Sequence, residues 1–380
     1  MTGPALRLTG GHVVTPSGTT NPLDVIVADG RIAELAEHGA AAGEGAVDIS
    51  GKLVAPGFID VQINGGWGDD FTNDPRSIVR VARRLPATGV TAFLPTIVTS
   101  PAEVRVAALS ALAEAVVEAR AAFPLGLHFE GPCISRNRSG AHDPRWIGVP
   151  GDDEVATWSR GAGVAMATLA PECDGALELA AQLTDAGVVV SAGHSECSAD
   201  QFDAARRVGV TMVTHLFNAM GPFSHRSPGL VGAALAGDVF AGLICDGIHV
   251  DPVAVRMAWN ALGAHRTVLV TDAMSALGSD ARDTRLGDAI VSVDETGVRT
   301  ADGVLAGSNL ALDQAVRNLV AFTGCAPAEA IRAATANPAD VLGLVDRGRV
   351  ERGALADLVV LDSALRVEMT VVGGVIAWRS

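Results

Sequence analysis

Short apolar runs recur along most of this 380-residue chain, and polar or helix-like stretches separate them. The runs are rich in Val, Ile, Leu and Ala. Such runs are typical of strands in a parallel sheet that is buried on both faces, because neither face of the strand meets water. The runs lie at 53–63, 91–98, 126–130, 164–170, 188–194, 211–217, 239–247 and 267–273.

The alternation of these strands with Ala-rich helical segments predicts an α/β fold. Eight strand–helix units within about 290 residues favour a (β/α)8 barrel, also called a TIM barrel. An open, doubly wound sheet would give a similar pattern and is the alternative. In a barrel, the carboxyl ends of all strands meet at one rim, which is where catalytic residues are found.

The two ends of the chain have a different pattern. Residues 1–52 and 349–380 alternate as strands and turns, and neither end contains a helix long enough to cover its strands. We therefore expect both termini to pair in one small β-sandwich domain, packed beside a catalytic barrel domain that spans residues 53–348.

Four polar residues lie where predicted strands end. Glu130 closes GLHFE, His194 closes VVVSAGH, His215 interrupts TMVTHLF, and Asp272 follows TVLVT. A single buried His or Asp is usually structural, but four of them on one barrel rim favour a functional site. Carboxylates and imidazoles are ligands of hydrolytic metal centres, which also need an open position for water. The pattern therefore predicts a metal-dependent hydrolase.

Two further histidines gain meaning from this arrangement. His249 follows the seventh strand in CDGIHV, so it could orient a substrate carbonyl or be an ordinary loop histidine. His128 shares the barrel face of Glu130 because side chains alternate along a strand. We expect His128 to have a hydrogen-bonding role rather than to bind the metal.

The number of metal ions follows from the first strand. Gln62 and Asn64 stand where a two-metal hydrolase would have a pair of histidines, and neutral amides are poor ligands for zinc. The only lysine of the chain is Lys52, so a carbamylated lysine cannot bridge two metals in the middle of the barrel. We therefore expect one tightly bound metal ion.

Composition limits the partners and the compartment. The formal net charge of −15 argues against general binding of nucleic acid or of an anionic membrane, and an anionic substrate would need local positive charge. No apolar run reaches membrane-spanning length, and no signal peptide is visible. Five cysteines without CxxC spacing indicate reduced thiols in the cytosol: Cys133, Cys173, Cys197, Cys245 and Cys325.

Nine segments, in this order between residues 56 and 362, resemble the amidohydrolase superfamily and, within it, the family of N-acetylglucosamine-6-phosphate deacetylases. They are PGFIDVQINGG, HFEGPCIS, RSGAH, SAGHS, THLFNAM, DGIHV, LVTDA, LAGS and GALADLVVLD. The QIN motif of the first strand is similar to the single-metal branch of that family. One departure is Cys133, since an aromatic residue commonly follows EGP, and the role of this thiol stays open.

The resemblance implies a reaction and a set of site residues. It implies hydrolysis of the acetamide of N-acetylglucosamine 6-phosphate in amino-sugar catabolism or cell-wall recycling, by a cytoplasmic homodimer. One divalent ion, usually zinc, would be held by Glu130, His194 and His215, with Asp272 as catalytic acid/base and His249 beside the carbonyl. The implied substrate contacts are Ala141, His142, Asn218, Ala219, Arg226, Asp246, Gly247, Ile248, His249, Leu305, Ala306 and Gly307.

Two other functions fit the same residues. The scaffold could hydrolyse a different amide, such as N-acetylgalactosamine 6-phosphate or a cyclic amide. Arg226 and His142 would serve as phosphate contacts only if the substrate carries phosphate. A metal-binding regulatory or scaffold protein that has lost catalysis is the alternative from another class, and the intact Asp272 beside the metal-binding residues argues against it.

Overall fold

The computed structural model describes residues 6–15, 18–39 and 46–380. Five strands precede the barrel in this part of the chain, and all five join the terminal sheet: β1 (Leu6–Thr15), β2 (Gly18–Ala28), β3 (Arg31–Glu37), β4 (Ala46–Asp48) and β5 (Leu53–Pro56). The barrel region follows with β6 (Phe58–Ile63), β7 (Gly65–Gly66), β8 (Asp69–Asp70), β9 (Val90–Val98), β10 (Phe123–Pro124), β11 (Leu127–Glu130), β12 (Val164–Leu169), β13 (Val189–Ala192), β14 (Val210–Val213), β15 (Phe240–Leu243) and β16 (Thr267–Leu269).

The last strands form two further groups. A three-stranded antiparallel sheet follows the barrel strands and consists of β17 (Asp283–Leu286), β18 (Ala289–Asp294) and β19 (Gly297–Thr300). The chain ends with β20 (Leu358–Leu361), β21 (Val367–Val372) and β22 (Val375–Arg379).

The helices surround the barrel and are short. They are α1 (Ile78–Ala82), α2 (Ala102–Glu114), α3 (Asp152–Val155), α4 (Ala176–Asp185), α5 (Ala199–Arg207), α6 (Gly229–Ala236), α7 (Pro252–Leu262), α8 (Leu312–Thr323), α9 (Pro327–Ala333) and α10 (Ala336–Val341). Single turns of 3-10 helix lie at Pro75–Ser77, Leu85–Thr88, Arg136–Arg138 and Pro144–Trp146. None of the helices within the described ranges combines the length and the apolar character needed to cross a bilayer.

Eight parallel strands of the described chain form the barrel, in the order β6, β9, β11, β12, β13, β14, β15 and β16. The strands are buried on both faces, as their apolar composition requires. The residues after β16 return to β6, where Ile63 pairs with Ala273 and the Asp272 N–H donates to the Gln62 carbonyl over 2.8 Å. The predicted barrel is therefore confirmed, and the open sheet is excluded.

The predicted first strand at 53–63 is wrong in one respect, because it divides at Gly57. Leu53–Pro56 pairs with terminal strands β1 and β20, and Phe58–Ile63 begins the barrel. At the junction, a Cβ on Gly57 would lie 2.2 Å from the Thr91 hydroxyl. The backbone can pass from one sheet to the other here only because Gly57 has no side chain.

Strands from both termini form one mixed sheet, which confirms the predicted pairing of the two ends. Its order is β22, β21, β20, β5, β1, β2 and β3, with β4 beside β1 in the described residues. It is a single sheet that curls around one apolar core, since Val25 and Val27 share that core with Val360 and Val371. The Ile32 N–H donates to the Ala354 carbonyl over 2.9 Å, which ties the edge strand β3 to the segment that precedes β20.

The small sheet β17–β19 covers part of the catalytic rim and was not predicted from the sequence. Leu286, Val291 and Val298 pack with Val98 and Met274 in a separate apolar cluster above the barrel. Its strands are mostly exposed, so they lack the continuous apolar runs that mark the barrel strands.

Candidate active site

Three side chains converge at the carboxyl ends of barrel strands. Glu130 Oε1 lies 3.2 Å from His194 Nε2 and 3.0 Å from His215 Nε2, and the two Nε2 atoms are 3.1 Å apart. All three side chains are buried. The structure therefore brings together Glu130, His194 and His215, which lie far apart in the sequence.

The chemistry of this group fits a divalent metal ion. His194 Nδ1 is 2.8 Å from the Arg138 carbonyl, which accepts a hydrogen bond from Nδ1–H. With the proton on Nδ1, the lone pair of Nε2 is available to a metal ion. Two imidazole nitrogens and a carboxylate oxygen so close together repel one another unless a cation or a shared proton lies between them. The three ligand atoms lie within 4.8 Å of one another, and N/O ligands of this kind suit zinc and similar ions.

Electrostatics within the group point the same way. Burial alone would raise the pKa of Glu130, but contacts with His194 and His215 hold the pKa of its carboxyl well below the usual range. For His215, burial opposes protonation, and the neighbouring Glu130 carboxylate nevertheless raises the pKa of the ring. The carboxylate is therefore ionised and provides a negative charge for a cation.

The backbone turns sharply at three of these strand exits. His194, His215 and Asp272 have φ angles of 48°, 29° and 48°, in the left-handed region that side chains other than glycine rarely adopt. Such backbone strain costs roughly 1–3 kcal/mol per residue and is concentrated at functional sites. The conformation points each side chain inward over the barrel, towards the other two.

Asp272 is held beside the metal-binding group by two amide side chains. Its Oδ1 accepts hydrogen bonds from Asn64 Nδ2 over 2.7 Å and from Gln62 Nε2 over 3.3 Å. Burial, followed by the nearby Glu130 carboxylate, raises the pKa of Asp272 from 3.8 to about 6. A carboxyl with a pKa in this range can both accept and return a proton near neutral pH.

His249 faces the same space and is oriented by Asp246. His249 Nδ1 lies 2.7 Å from Asp246 Oδ2, and the backbone N–H groups of Ile248 and His249 donate to Oδ1 of Asp246 over 2.8 Å. Burial opposes ionisation of Asp246, but these hydrogen bonds, first that of the His249 ring, keep its pKa below the usual value. Asp246 therefore fixes the ring so that Nε2 points into the cavity.

A cavity of about 450 Å³ opens above the four strand-end residues, which is within the usual size range for small-molecule sites. Most of the predicted substrate contacts line it. These are Ala141, His142, Asn218, Ala219, His249, Leu305, Ala306 and Gly307.

Four predicted contacts do not line this cavity. Asp246 acts through His249, and Gly247 and Ile248 form the turn between them, with Gly247 at a φ of 79°. Arg226 is exposed on the loop that follows Met220, outside the cavity. The cavity of a single chain therefore lacks the arginine that was predicted to meet phosphate.

The structure shows which kind of phosphate contact His142 can make. Its Nδ1 bonds to the Thr99 hydroxyl over 2.8 Å, and its Nε2 lies 3.9 Å from Glu130 Oε2. Burial, followed by the neighbouring His194, lowers the pKa of His142 to about 3. The ring is therefore neutral and can offer a hydrogen bond, but not a cationic contact, to a phosphate.

The backbone of Asn218 is already engaged within the protein. Its N–H already donates to the His215 carbonyl over 3.0 Å, so it is not available to an anion. The Ala219 N–H has no acceptor within the described residues, and Ala219 has a φ of 50°. The Asn218 side chain is also engaged, because its Nδ2 donates to the carbonyls of His215 and Leu216 over 3.4 Å. An anion at this turn would therefore meet the Ala219 N–H.

Sequence reasoning missed several parts of the site. Thr99 orients His142, and the Arg138 carbonyl orients His194. Leu286 and Val304, which belong to the segment around β17–β19, line the cavity. A backbone carbonyl leaves no signal in the sequence, and the covering sheet is too polar to stand out.

Comparisons with known proteins agree with this geometry. The model of the amidohydrolase family matches residues 53–377. N-acetylglucosamine-6-phosphate deacetylase of Rattus norvegicus is 42% identical over 353 residues, covering 88% of this chain and 85% of the rat protein. The Thermotoga maritima deacetylase structure has a TM-score of 0.91 at 35% identity and covers 98% of this chain and 100% of its own.

A second solved structure includes a ligand. It is a mutant of the Mycobacterium smegmatis deacetylase in complex with N-acetyl-D-glucosamine-6-phosphate, with a TM-score of 0.91 and 35% identity. The match covers 99% of this chain and 100% of that one. The chain therefore belongs to the amidohydrolase family and, within it, to the N-acetylglucosamine-6-phosphate deacetylases.

Proposed function

We propose that this protein hydrolyses the acetamide of N-acetylglucosamine 6-phosphate to glucosamine 6-phosphate and acetate. The observation that carries the proposal is the convergence of Glu130, His194 and His215 beside the buried Asp272, in a chain of this family. The M. smegmatis relative binds the same sugar phosphate in its solved structure. The natural place for this chemistry is amino-sugar catabolism or cell-wall recycling.

One divalent ion, which we propose to be zinc, would be held by Glu130, His194 and His215. When bound, such an ion acidifies water and polarises a carbonyl oxygen, which is the Lewis-acid chemistry that amide hydrolysis requires. Gln62 and Asn64 point their amide N–H groups at Asp272, and their neutral amide oxygens are poor ligands for a second zinc ion compared with histidine or carboxylate. This supports one metal ion per chain.

Asp272 supplies the proton transfers. Its Oδ1 is occupied by hydrogen bonds from Asn64 and Gln62, so Oδ2 is the oxygen that takes a proton from the attacking water. The same carboxyl then delivers this proton to the amide nitrogen, which leaves as an amine. Burial favours the protonated intermediate state because a neutral carboxylic acid costs less to keep in this environment.

His249 assists from the other side of the cavity. Asp246 Oδ2 accepts a hydrogen bond from His249 Nδ1 and so fixes the ring, and the Nε2–H of His249 is proposed to donate to the substrate carbonyl. This hydrogen bond becomes stronger as negative charge develops on that oxygen. It therefore lowers the barrier rather than simply increasing affinity.

The phosphate is proposed to bind at the turn that follows His215. Asn218 and Ala219 line the cavity there, the Ala219 N–H has no acceptor among the described residues, and His142 adds a neutral hydrogen-bonding group to the same cavity. Since Arg226 lies outside the cavity of its own chain, we propose a homodimer in which it meets the neighbour's substrate. The unpaired thiols of all five cysteines support a cytosolic location.

The test is acetate release from N-acetylglucosamine 6-phosphate by protein loaded with zinc, compared with protein stripped by a chelator. We expect turnover that disappears on stripping and returns with metal. N-acetylgalactosamine 6-phosphate and unphosphorylated N-acetylglucosamine complete the panel, and both should be hydrolysed more slowly. A rate with the loaded protein no higher than in buffer would disprove the proposed function.

A further inference from the structure

Gln62 lies between the two carboxylates of the site. It belongs to β6, the first barrel strand, and its side chain is buried. Its Nε2 is 3.0 Å from Glu130 Oε1 and 3.3 Å from Asp272 Oδ1. One amide nitrogen therefore contacts both the carboxylate proposed to bind metal and the carboxylate proposed to move the proton.

The orientation of the Gln62 amide follows from its neighbours. The nitrogen and oxygen of a side-chain amide have nearly the same size and position, so their assignment depends on the hydrogen-bond network. Both neighbours are carboxylates, and an ionised carboxylate can only accept. Only the nitrogen can face them, and its two hydrogens match the two acceptors.

The hydrogen bonds from Gln62 reduce the repulsion between the Glu130 and Asp272 carboxylates. Two buried carboxylates close together repel each other, and the Glu130 charge contributes to the raised pKa of Asp272. A lysine between them would supply a compensating charge, but the only lysine, Lys52, lies in the terminal sheet region. A neutral amide with two donors can hold both carboxylates without adding a group that titrates.

We infer that Gln62 is a positioning residue that couples the metal-binding Glu130 to the proton-transferring Asp272. This inference rests on the proposed function and deepens it. Gln62 does not line the cavity, whereas Glu130 and Asp272 do, so its role is to fix the separation and orientation of these two groups. Asn64 adds a second hydrogen bond to Asp272, so Oδ1 of Asp272 is held from two sides while Oδ2 stays free.

The test is Gln62→Met, which keeps the length of an unbranched side chain and removes both donors. We expect metal affinity to fall about 10- to 100-fold, as when the hydrogen-bond partner of a metal ligand is lost. With metal saturating, we expect kcat to fall at least about 10-fold while KM changes less than about threefold, because misplacing the two carboxylates weakens transition-state stabilisation more than substrate binding.

A matched control is Asn337→Leu. Asn337 is also buried, and its Nδ2 donates to the carbonyls of Ala264 and Thr267 over 2.8 and 2.7 Å, at the opposite end of β16. Asn337→Leu therefore removes an amide that donates two hydrogen bonds, as Gln62→Met does, but at a position that does not contact the site. We expect Asn337→Leu to lower the midpoint of thermal unfolding but to leave metal affinity and kcat of the loaded enzyme unchanged.

A double-mutant cycle separates coupling from a general structural effect. If Gln62 acts through Asp272, Gln62→Met should change kcat less than about twofold in an Asp272→Asn background. Gln62→Met with unchanged metal affinity and with kcat within about twofold of wild type would overturn the inference. If wild-type protein releases no acetate, the proposed function fails separately. In that case the metal affinity of Gln62→Met tests the inference by itself. A lower affinity than that of wild type supports the role of Gln62 at Glu130, and an unchanged affinity rejects it.

Discussion

At the scale of single residues, Asp272 is the group whose removal should separate binding from chemistry. Asp272→Asn preserves the shape and one acceptor for Asn64, while the amide can no longer carry a proton. We expect the variant to bind metal normally and to lose about 10²- to 10⁴-fold in kcat, the usual contribution of a general acid–base. Metal analysis together with acetate release checks both halves, and a variant that keeps near-normal turnover would exclude Asp272 as the proton carrier.

The sequence was informative for residues whose role follows from strand position. Glu130, His194, His215 and Asp272 end apolar runs, and the barrel then brings them to one rim. Their local chemistry depends on neighbours that are distant in the chain. The neutral state of His142, for example, follows from burial and from the neighbouring His194, which no spacing along the chain reveals.

Gln62 illustrates the same limit. In the sequence, its amide indicates only that a histidine ligand is missing at that position. In the structure, its nitrogen contacts two carboxylates that are 68 and 210 residues away along the chain. The role of such a donor depends on two long-range distances, so it could not be predicted from the first strand alone.

At the scale of elements, the turn of Leu305, Ala306 and Gly307 supports the segment that carries Asp272. The following Ser308 N–H donates to the Asp272 carbonyl over 2.8 Å, and Met274 N–H donates back to the Ser308 carbonyl. A Cβ on Gly307 would lie 3.0 Å from the Asp272 carbonyl, at a φ of 64°. We expect Gly307→Ala to displace Asp272 and to lower kcat at least about 10-fold, since small misplacements of catalytic groups are costly.

The control for this prediction is Gly303→Ala. Gly303 also has a left-handed φ, 79°, but a Cβ there would meet nothing within 4 Å. Both alanines carry the backbone strain of roughly 1–2 kcal/mol, so both should unfold at lower denaturant concentration. Only Gly307→Ala should lose turnover, and equal activity of the two variants would contradict a supporting role for this turn.

Asp60 joins the first barrel strand to the segment after the last, and this contact should make stability depend on pH. Its Oδ2 accepts from the Thr271 hydroxyl over 2.6 Å. Burial raises the pKa of Asp60 from 3.8 to about 7, although hydrogen bonds from Thr271 and Gln62 oppose this. Between these values the folded protein keeps a proton that the unfolded chain releases, so the contribution of Asp60 to stability falls as pH rises.

The measurement compares Asp60→Asn with wild type in metal-stripped protein. Asparagine does not titrate, so only wild type loses the contribution of Asp60 as the pH rises. The unfolding free energy of Asp60→Asn minus that of wild type should therefore increase by about 2–3 kcal/mol between pH 5 and pH 8. Urea unfolding at both pH values gives the difference directly. If the difference in unfolding free energy between Asp60→Asn and wild type is the same at pH 5 and pH 8, Asp60 ionises normally in the folded protein.

Whole elements were predictable where burial imposes a continuous apolar composition. The eight barrel strands meet this condition, because helices and neighbouring strands cover both faces of each. The division at Gly57 and the sheet β17–β19 do not meet it. The first depends on a close approach to Thr91, and the second packs only a few side chains onto the rim.

At the scale of the whole molecule, a chain with a formal charge of −15 must bind a phosphate dianion. The cavity of one chain offers little positive charge for this. His142 is neutral, and Arg138, which lines the cavity, is paired with Glu196 at 2.8 Å. The exposed Arg226 is the cation that the proposed homodimer would add, and it would reach the phosphate from the neighbouring chain.

Mixing two variants with different defects tests this arrangement. Arg226→Ala should raise KM for the phosphorylated sugar at least about 10-fold, because a charge-assisted contact is lost, and Asp272→Asn should have almost no kcat. If Arg226 acts across the interface, a mixed dimer contains one site with an intact Asp272 and an intact Arg226 from the partner chain. The other site of that dimer carries both defects.

Random exchange of subunits gives about half mixed dimers, each with one working site of two, so about a quarter of wild-type activity should return at low substrate concentration. The control is a double variant that carries Arg226→Ala and Asp272→Asn in the same chain. It is taken through the same exchange procedure without a second protein, and its activity should not recover. If Arg226 serves its own chain, or if the protein is a monomer, mixing restores nothing and activity stays at the sum of the two variants measured apart.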